Sequence, residues 1–262
     1  MILCDIDGVL ATAIGQDTTP GEEIYRTFLE PLDELARIQA DGIPLHVVTA
    51  KIEAEAWQVL RAVRLENAFT SLIGAEKLFW PTIMSNARRG RLPRSLSKVG
   101  FRQYVPATGD SPVVMIEDRV EHLRDMLHSG VIDFGILVPG MSFVDGYVTE
   151  WFDLNLALGV ARRLVQSQIS ADELFRLGLT AHAWDDDQLV PVGVLGHDSP
   201  DQELSLLFSL PQIPYTLEGS SDRGTHSLRT GQVLMSGPQS LVTLIRRSRR
   251  LARSLGRRPS GS

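Results

Sequence analysis

The sequence predicts an α/β fold built as a doubly wound parallel sheet, and three observations carry that prediction. Short apolar runs alternate with helically spaced stretches through the first half of the chain. The runs are apolar nearly throughout rather than alternating, as in strands buried on both faces. Three of them stop at Asp, Glu or Thr. Parallel order would gather those polar residues beyond one edge of the sheet, where folds of this kind place their sites.

Taken in order, Ile2 to Ile6 reads as the first strand. Apolar residues at Ile24, Phe28, Leu32, Leu35 and Ile38 have helical spacing across 22–39, and Asp41-Gly42 closes that helix. Pro44 to Val48 reads as the second strand, Ile52 to Val63 as its helix and Thr70 to Ile73 as a third strand. Leu78 to Ser97 is irregular, with Pro81, Gly90 and Pro93 among Arg88, Arg89, Arg91 and Arg94; Arg102 lies just beyond. Val113 to Ile116 is the fourth strand, Val120 to His128 a helix and Phe134 to Val138 the fifth strand. Strand, helix, strand in repetition implies crossovers, and hence parallel neighbours. After these come a helix over Asn155 to Gln168 and a capping box at Ser170 and Glu173. Asp185-Asp186-Asp187 reads as a turn between a strand ending near Trp184 and another over Leu189 to Leu195. Gln239 to Leu255 reads as a final helix. The expected division is a catalytic core over 1–150 and an α+β region over 151–262 ending in that arginine-rich helix.

Composition narrows the class. The chain has 262 residues, 43% hydrophobic and 22% charged, as in ordinary globular proteins. No apolar run reaches the roughly 18 residues of a membrane span, so no membrane partner is expected. Cys4 is the sole cysteine, and MILCDID has neither a basic region nor a cleavage site, so a cytoplasmic setting is expected. The net charge is −6, yet Arg246 to Ser262 holds seven arginines and no acid. Such a segment draws phosphorylated or nucleic-acid partners, although a solvated helix end followed by a frayed terminus is the favoured explanation. The arginines from Arg88 to Arg102 could contact a polyanion near the active edge or lie on an exposed loop. Oligomeric state is not legible.

The chemistry lies at the strand ends. Asp5 and Asp7 close the first strand, Thr49 the second, and Glu117-Asp118 the fourth. Four acids converging on one edge would repel one another and require a cation. An all-oxygen donor set suits Mg²⁺. Phosphoryl transfer uses such a site, because it depends on positioning and on neutralising charge.

DIDGVL at 5–10 resembles the first motif of the haloacid dehalogenase-like superfamily. VVTA at 47–50 is similar to its second motif, VVMIEDR at 113–119 to its fourth, and Lys98 to its third-motif lysine. The motifs span residues 2–138, about half the chain. The resemblance implies a Rossmann-like core and a Mg²⁺-dependent phosphohydrolase acting through an aspartyl-phosphate. Asp5 would be the nucleophile, and Asp7 the general acid and then base. Asp5, the backbone carbonyl of Asp7 and Asp118 would hold the metal, with Glu117 beside it or assisting through water. Thr49 and Lys98 would bind the phosphoryl oxygens, and Gly8 would let the backbone approach them.

Ordinary structural explanations compete at each position. The Asp5/Asp7 pair could be turn acids, Thr49 a β-former at a strand end, and Glu117 and Asp118 caps of the next helix. Lys77 and Lys51 compete with Lys98 for the lysine's place. His46, His122 and His128 read as structural, and the spacing of His182 and His197 fits no metal site. Against the family pattern, the 36 residues between Leu10 and Val47 and the 48 between Thr49 and Lys98 leave no room for a full cap. The chain is therefore expected to have little or no cap and an open site, admitting a nucleotide, a nucleic-acid end or a small metabolite. Glu-Asp also replaces the Gly-Asp or Asp-Asp of many relatives. The alternative of another class is a non-catalytic module that binds a partner through its C-terminal region.

Overall fold

Strand composition decides the layering. Ile2, Cys4, Val47, Val114 and Ile116 belong to one apolar cluster, while Leu3, Val48, Val113 and Met115 belong to a second. Successive strand residues point to opposite faces, so both faces of the sheet are apolar and both need a helical cover.

The computed structural model describes residues 1–16, 22–27, 33–62, 65–89, 97–105, 109, 111–140, 142–144, 147–169, 173, 176–177, 179–185, 188–191, 206–210, 213–214 and 233–236. Its elements run β1 (Ile2–Cys4), β2 (Ala11–Gln16), β3 (Glu22–Thr27), α1 (Asp33–Ala40), β4 (Leu45–Val48), α2 (Glu53–Ala62), β5 (Ser71–Ile73), α3 (Ala75–Leu78) and α4 (Trp80–Arg88). A 3-10 helix (Lys98–Gln103) follows, then β6 (Val114–Glu117), α5 (Val120–His128), β7 (Phe134–Leu137), β8 (Ser142–Val144), β9 (Tyr147–Trp151) and α6 (Leu154–Val165). β10 (Thr180–Asp185), β11 (Gln188–Pro191), β12 (Leu206–Ser209), β13 (Ile213–Pro214) and β14 (Val233–Ser236) complete the series.

The main sheet has eight strands in the order β11-β10-β12-β7-β6-β1-β4-β5. The six from β12 to β5 are parallel, and β10 and β11 extend the β12 edge antiparallel. From β1 the chain winds outward through β4 and β5, then returns to β6 and winds the other way. The order reverses between β1 and β6, the crevice where such sheets accept ligands. Helices α1, α2 and α6 pack on one face; α3, α5 and the 3-10 helix cover the other. α6 shows how sequence sets this. Asp153 caps it, accepting from the Leu156 amide at 2.9 Å, and Leu154, Ala157, Leu158, Ala161 and Leu164 form the buried stripe.

Two three-stranded sheets stand apart from this one, β14-β3-β2 and β13-β9-β8. The first corrects the helix expected over 22–39: Glu22–Thr27 is a strand, paired antiparallel with β2 and β14, and the helix begins only at Asp33. Ile24 fits a helical stripe, but EEIYRT sits between Pro20-Gly21 and Pro31, and strand pairing satisfies its backbone as fully as a helix would. The stretch expected to be irregular, Leu78 to Ser97, contains α4. Among the described residues, no separate domain is inserted between β1 and β4 or between β4 and Lys98. No described helix is long and apolar enough to cross a membrane.

Residue 150 lies inside β9, and the segment beyond it supplies α6 to one face and β10–β12 to the main sheet. Residues 1–150 and the later described residues thus share one sheet. Ser170, Asp186, Asp187, His197 and the final helix with its arginines lie outside the described residues.

Candidate active site

β1 and β6 pair in register, Cys4 opposite Ile116, so the residues after them meet at the reversal point. Asp5 is buried there at 4% exposure, Glu117 closes β6 at 0%, and Asp118 follows. One carboxylate oxygen from each of these three acids lies within 4.8 Å of the others, a spacing a metal ion can bridge. Lys98, also 0% exposed, opens the 3-10 helix with its Nζ 2.7 Å from Asp5 Oδ2 and 2.6 Å from Glu117 Oε2. Lys98 is therefore the lysine that reaches Asp5. Lys77 pairs with Glu53 at 2.8 Å, and Lys51 with Asp7 at 2.9 Å.

The loop after Asp5 is wound tightly. Amides of Val9, Leu10 and Ala11 all point at the Ile6 carbonyl, and the Ile6 amide donates to Asp5 Oδ1 at 2.7 Å. One Asp5 oxygen is thus held by backbone and the other by Lys98. Gly8 sits in the left-handed region at φ +78°, and a Cβ there would lie 2.1 Å from Asp118 Oδ2. Gly8→Ala is expected to displace the Asp118 carboxylate, adding roughly 1–2 kcal/mol of backbone strain. Isothermal titration should show weakened Mg²⁺ binding; unchanged affinity would contradict this role for Gly8.

Thr49 directly follows β4, fully buried, and its hydroxyl accepts from the Lys51 amide at 3.2 Å. Asp7 is more open than Asp5, its side chain 44% exposed. The structure thus brings Asp5, Lys98, Glu117 and Asp118 into one cluster, sets Gly8 against Asp118 and joins Asp7 to Lys51. Three contacts escaped the sequence reading. His122, one turn into α5, places Nδ1 3.4 Å from Glu117 Oε2. Lys51 reaches Asp7. A Cβ on Gly140, past the end of β7, would lie 3.5 Å from Asp118 Oδ2. His46, expected to be structural, bonds through Nδ1 to Ser71 Oγ at 2.8 Å.

The electrostatics indicate missing positive charge. Burial and the nearby Glu117 push the Asp5 carboxyl well above its ordinary range, although Lys98 pulls it down. Burial would also raise Glu117, but Lys98 and His122 hold it well below the usual carboxylate value. Asp118 is pushed up to about 7 by burial and by its hydrogen bond to Glu117. Three carboxylates around one ammonium leave excess negative charge, and a hard divalent cation fits that donor set.

A pH dependence follows. Asp118 takes up a proton near 3.8 when unfolded and near 7 in the metal-free fold. Its contribution to stability is complete below the first value and is lost as pH rises through the second. Melting in EDTA should therefore occur at lower temperature near pH 8 than near pH 5. Mg²⁺ should raise the melting temperature more at the higher pH, and Asp118→Asn should flatten both trends. An equal Mg²⁺ shift at both pH values contradicts the assignment.

No family model matches the sequence, and no curated protein matches it significantly. Solved structures similar to this chain include 3-deoxy-D-manno-octulosonate 8-phosphate phosphatase from Moraxella catarrhalis, in complex with magnesium, phosphate and KDO. It is 16% identical, with 53% of this chain and 67% of that one covered and a TM-score of 0.33. A hypothetical protein from Xanthomonas campestris is 14% identical, with 67% and 86% covered and a TM-score of 0.36. Likeness at this level carries no functional weight; the side chains at the sheet edge must carry it.

Proposed function

We propose that this chain is a Mg²⁺-dependent phosphohydrolase of the haloacid dehalogenase-like type, which cleaves a phosphomonoester through an aspartyl-phosphate on Asp5. One observation supports the reading above the rest: a buried carboxylate at the sheet's reversal point is held by Lys98 beside two further acids within metal-bridging distance. A merely structural acid would not need a second and third carboxylate crowded against it in so dry a setting.

Asp5, Asp118 and the Asp7 carbonyl would hold the metal, with Glu117 supporting from its bond to Lys98. When bound, the ion would neutralise charge on the transferred phosphoryl group. The chain's own residues do the rest. Asp5 attacks phosphorus with one carboxylate oxygen; the phosphorus–oxygen bond to the leaving group breaks, and Asp7 gives that oxygen its proton. Asp7, open to solvent, then takes a proton from the water that attacks phosphorus in the aspartyl-phosphate. The carboxylate of Asp5 leaves, and inorganic phosphate is released. Lys98 balances the charge shared by Asp5 and the phosphoryl oxygens, and the Thr49 hydroxyl donates to one of them.

The deciding experiment is hydrolysis of p-nitrophenyl phosphate by the full chain, with Mg²⁺ and after treatment with EDTA. Phosphate release that stops in EDTA and returns with Mg²⁺ supports the reading. No release under any condition leaves the binding module as the better account.

A further inference from the structure

The 33 residues from Lys77 to Gly109 hold five arginines and two lysines but no acid, in a chain whose net charge is −6. Both lysines are already engaged, Lys77 with Glu53 and Lys98 with Asp5 and Glu117. The excess charge therefore rests on arginines. Among the described residues, no carboxylate pairs with Arg88 or Arg89, and both are exposed. They end α4. Pro81 suits that helix's first turn, where it removes no helical hydrogen bond, and buried Ile83 anchors its inner side. Trp80, Met84 and Arg88 follow at four-residue spacing, so they share one stripe. With Pro81, Ser85 and Arg89 they line a hollow of about 560 Å³. Trp80 is 40% exposed, where an indole would ordinarily be buried.

An exposed indole beside two unpaired guanidinium groups offers a flat face for a base and planar donors for phosphates. We infer that this face of α4 binds single-stranded nucleic acid. A phosphopeptide would need the arginines but not the indole, so the observations favour the nucleic acid. The start of the helix lies close to the active edge, because it follows β5, whose end pairs beside that of β4, through the short α3. A strand lying on α4 with its phosphorylated end at the start of the helix would bring that end near the active edge; this use of the surface, unlike the surface itself, rests on the function proposed above.

The test measures fluorescence anisotropy of a labelled twelve-residue oligothymidylate, with and without a terminal phosphate, on the full chain and on Trp80→Ala, Trp80→Phe and Arg88→Gln/Arg89→Gln variants. Trp80→Ala should weaken binding at least about tenfold, and Trp80→Phe should restore most of it. The double arginine variant should lower the slope of log affinity against log salt by about 1.4. Hydrolysis of p-nitrophenyl phosphate should be the same in all variants. Equal oligonucleotide affinity across the set overturns the inference, as does Trp80-dependent binding of a phosphopeptide in preference to the oligonucleotide. If the small ester is not cleaved by any variant while Trp80-dependent oligonucleotide binding persists, the surface stands and the catalytic reading falls.

Discussion

Asp5→Asn should slow Mg²⁺-dependent phosphate release by at least about a thousandfold, because under the proposed mechanism it removes the carboxylate that would bond to phosphorus. The substitution is nearly isosteric. The amide oxygen can still accept from the Ile6 amide, which holds Asp5 Oδ1 at 2.7 Å in the native protein. Loss of activity would therefore report lost nucleophilicity rather than a rebuilt loop. Steady-state rates on p-nitrophenyl phosphate give the first measurement. Acid-quenched labelling gives the second: native enzyme should trap a phosphoryl group and the variant should not. A variant keeping a tenth of the native rate would rule out covalent catalysis at Asp5.

Lys98→Met should lower folding stability at pH 7 by about 3 kcal/mol or more, the largest stability loss expected of any single substitution here. Lys98 is fully buried and bonds two carboxylates, at 2.7 and 2.6 Å. Methionine fills much of the same volume but leaves two buried carboxyl groups without the ammonium they share. Its cost falls with pH, because Asp5 and Glu117 can then escape by taking up protons. Urea unfolding at about pH 7 and pH 5 should show a clearly smaller loss at the lower value. Adding Glu117→Gln to Lys98→Met should recover part of the stability, since one stranded charge is gone. A loss under about 1 kcal/mol at pH 7 would mean the buried ion pairs are not coupled as the distances indicate.

The parallel core was legible because its strands are apolar on both faces and three of them end abruptly in polar residues, as Ile2–Cys4 before Asp5 and Val114–Ile116 before Glu117 do. Parallel order then placed Asp5 and Asp118 together without further information. What was hidden depends on pairing partners. Glu22–Thr27 becomes a strand through β2 and through β14, which lies some 200 residues later. Leu206–Ser209 joins the main sheet only because β7 offers it an edge. The Lys51–Asp7 and His122–Glu117 contacts were hidden for a similar reason: spacing along the chain does not say where side chains from separate elements point.

The strand that leads into Asp5 is synthesised before its sheet neighbours and completed late. β1 gains its first neighbour, β4, when residues 45–48 emerge, and its second, β6, only with residues 114–117. At translation speeds of about 5–20 residues per second, the β6 side of this apolar ribbon stays bare for roughly six to twenty seconds on the ribosome. Throughout that interval Asp5 has neither Glu117 nor Asp118 beside it. The nascent chain must pass through a stage with an open, sticky border before the carboxylate cluster exists.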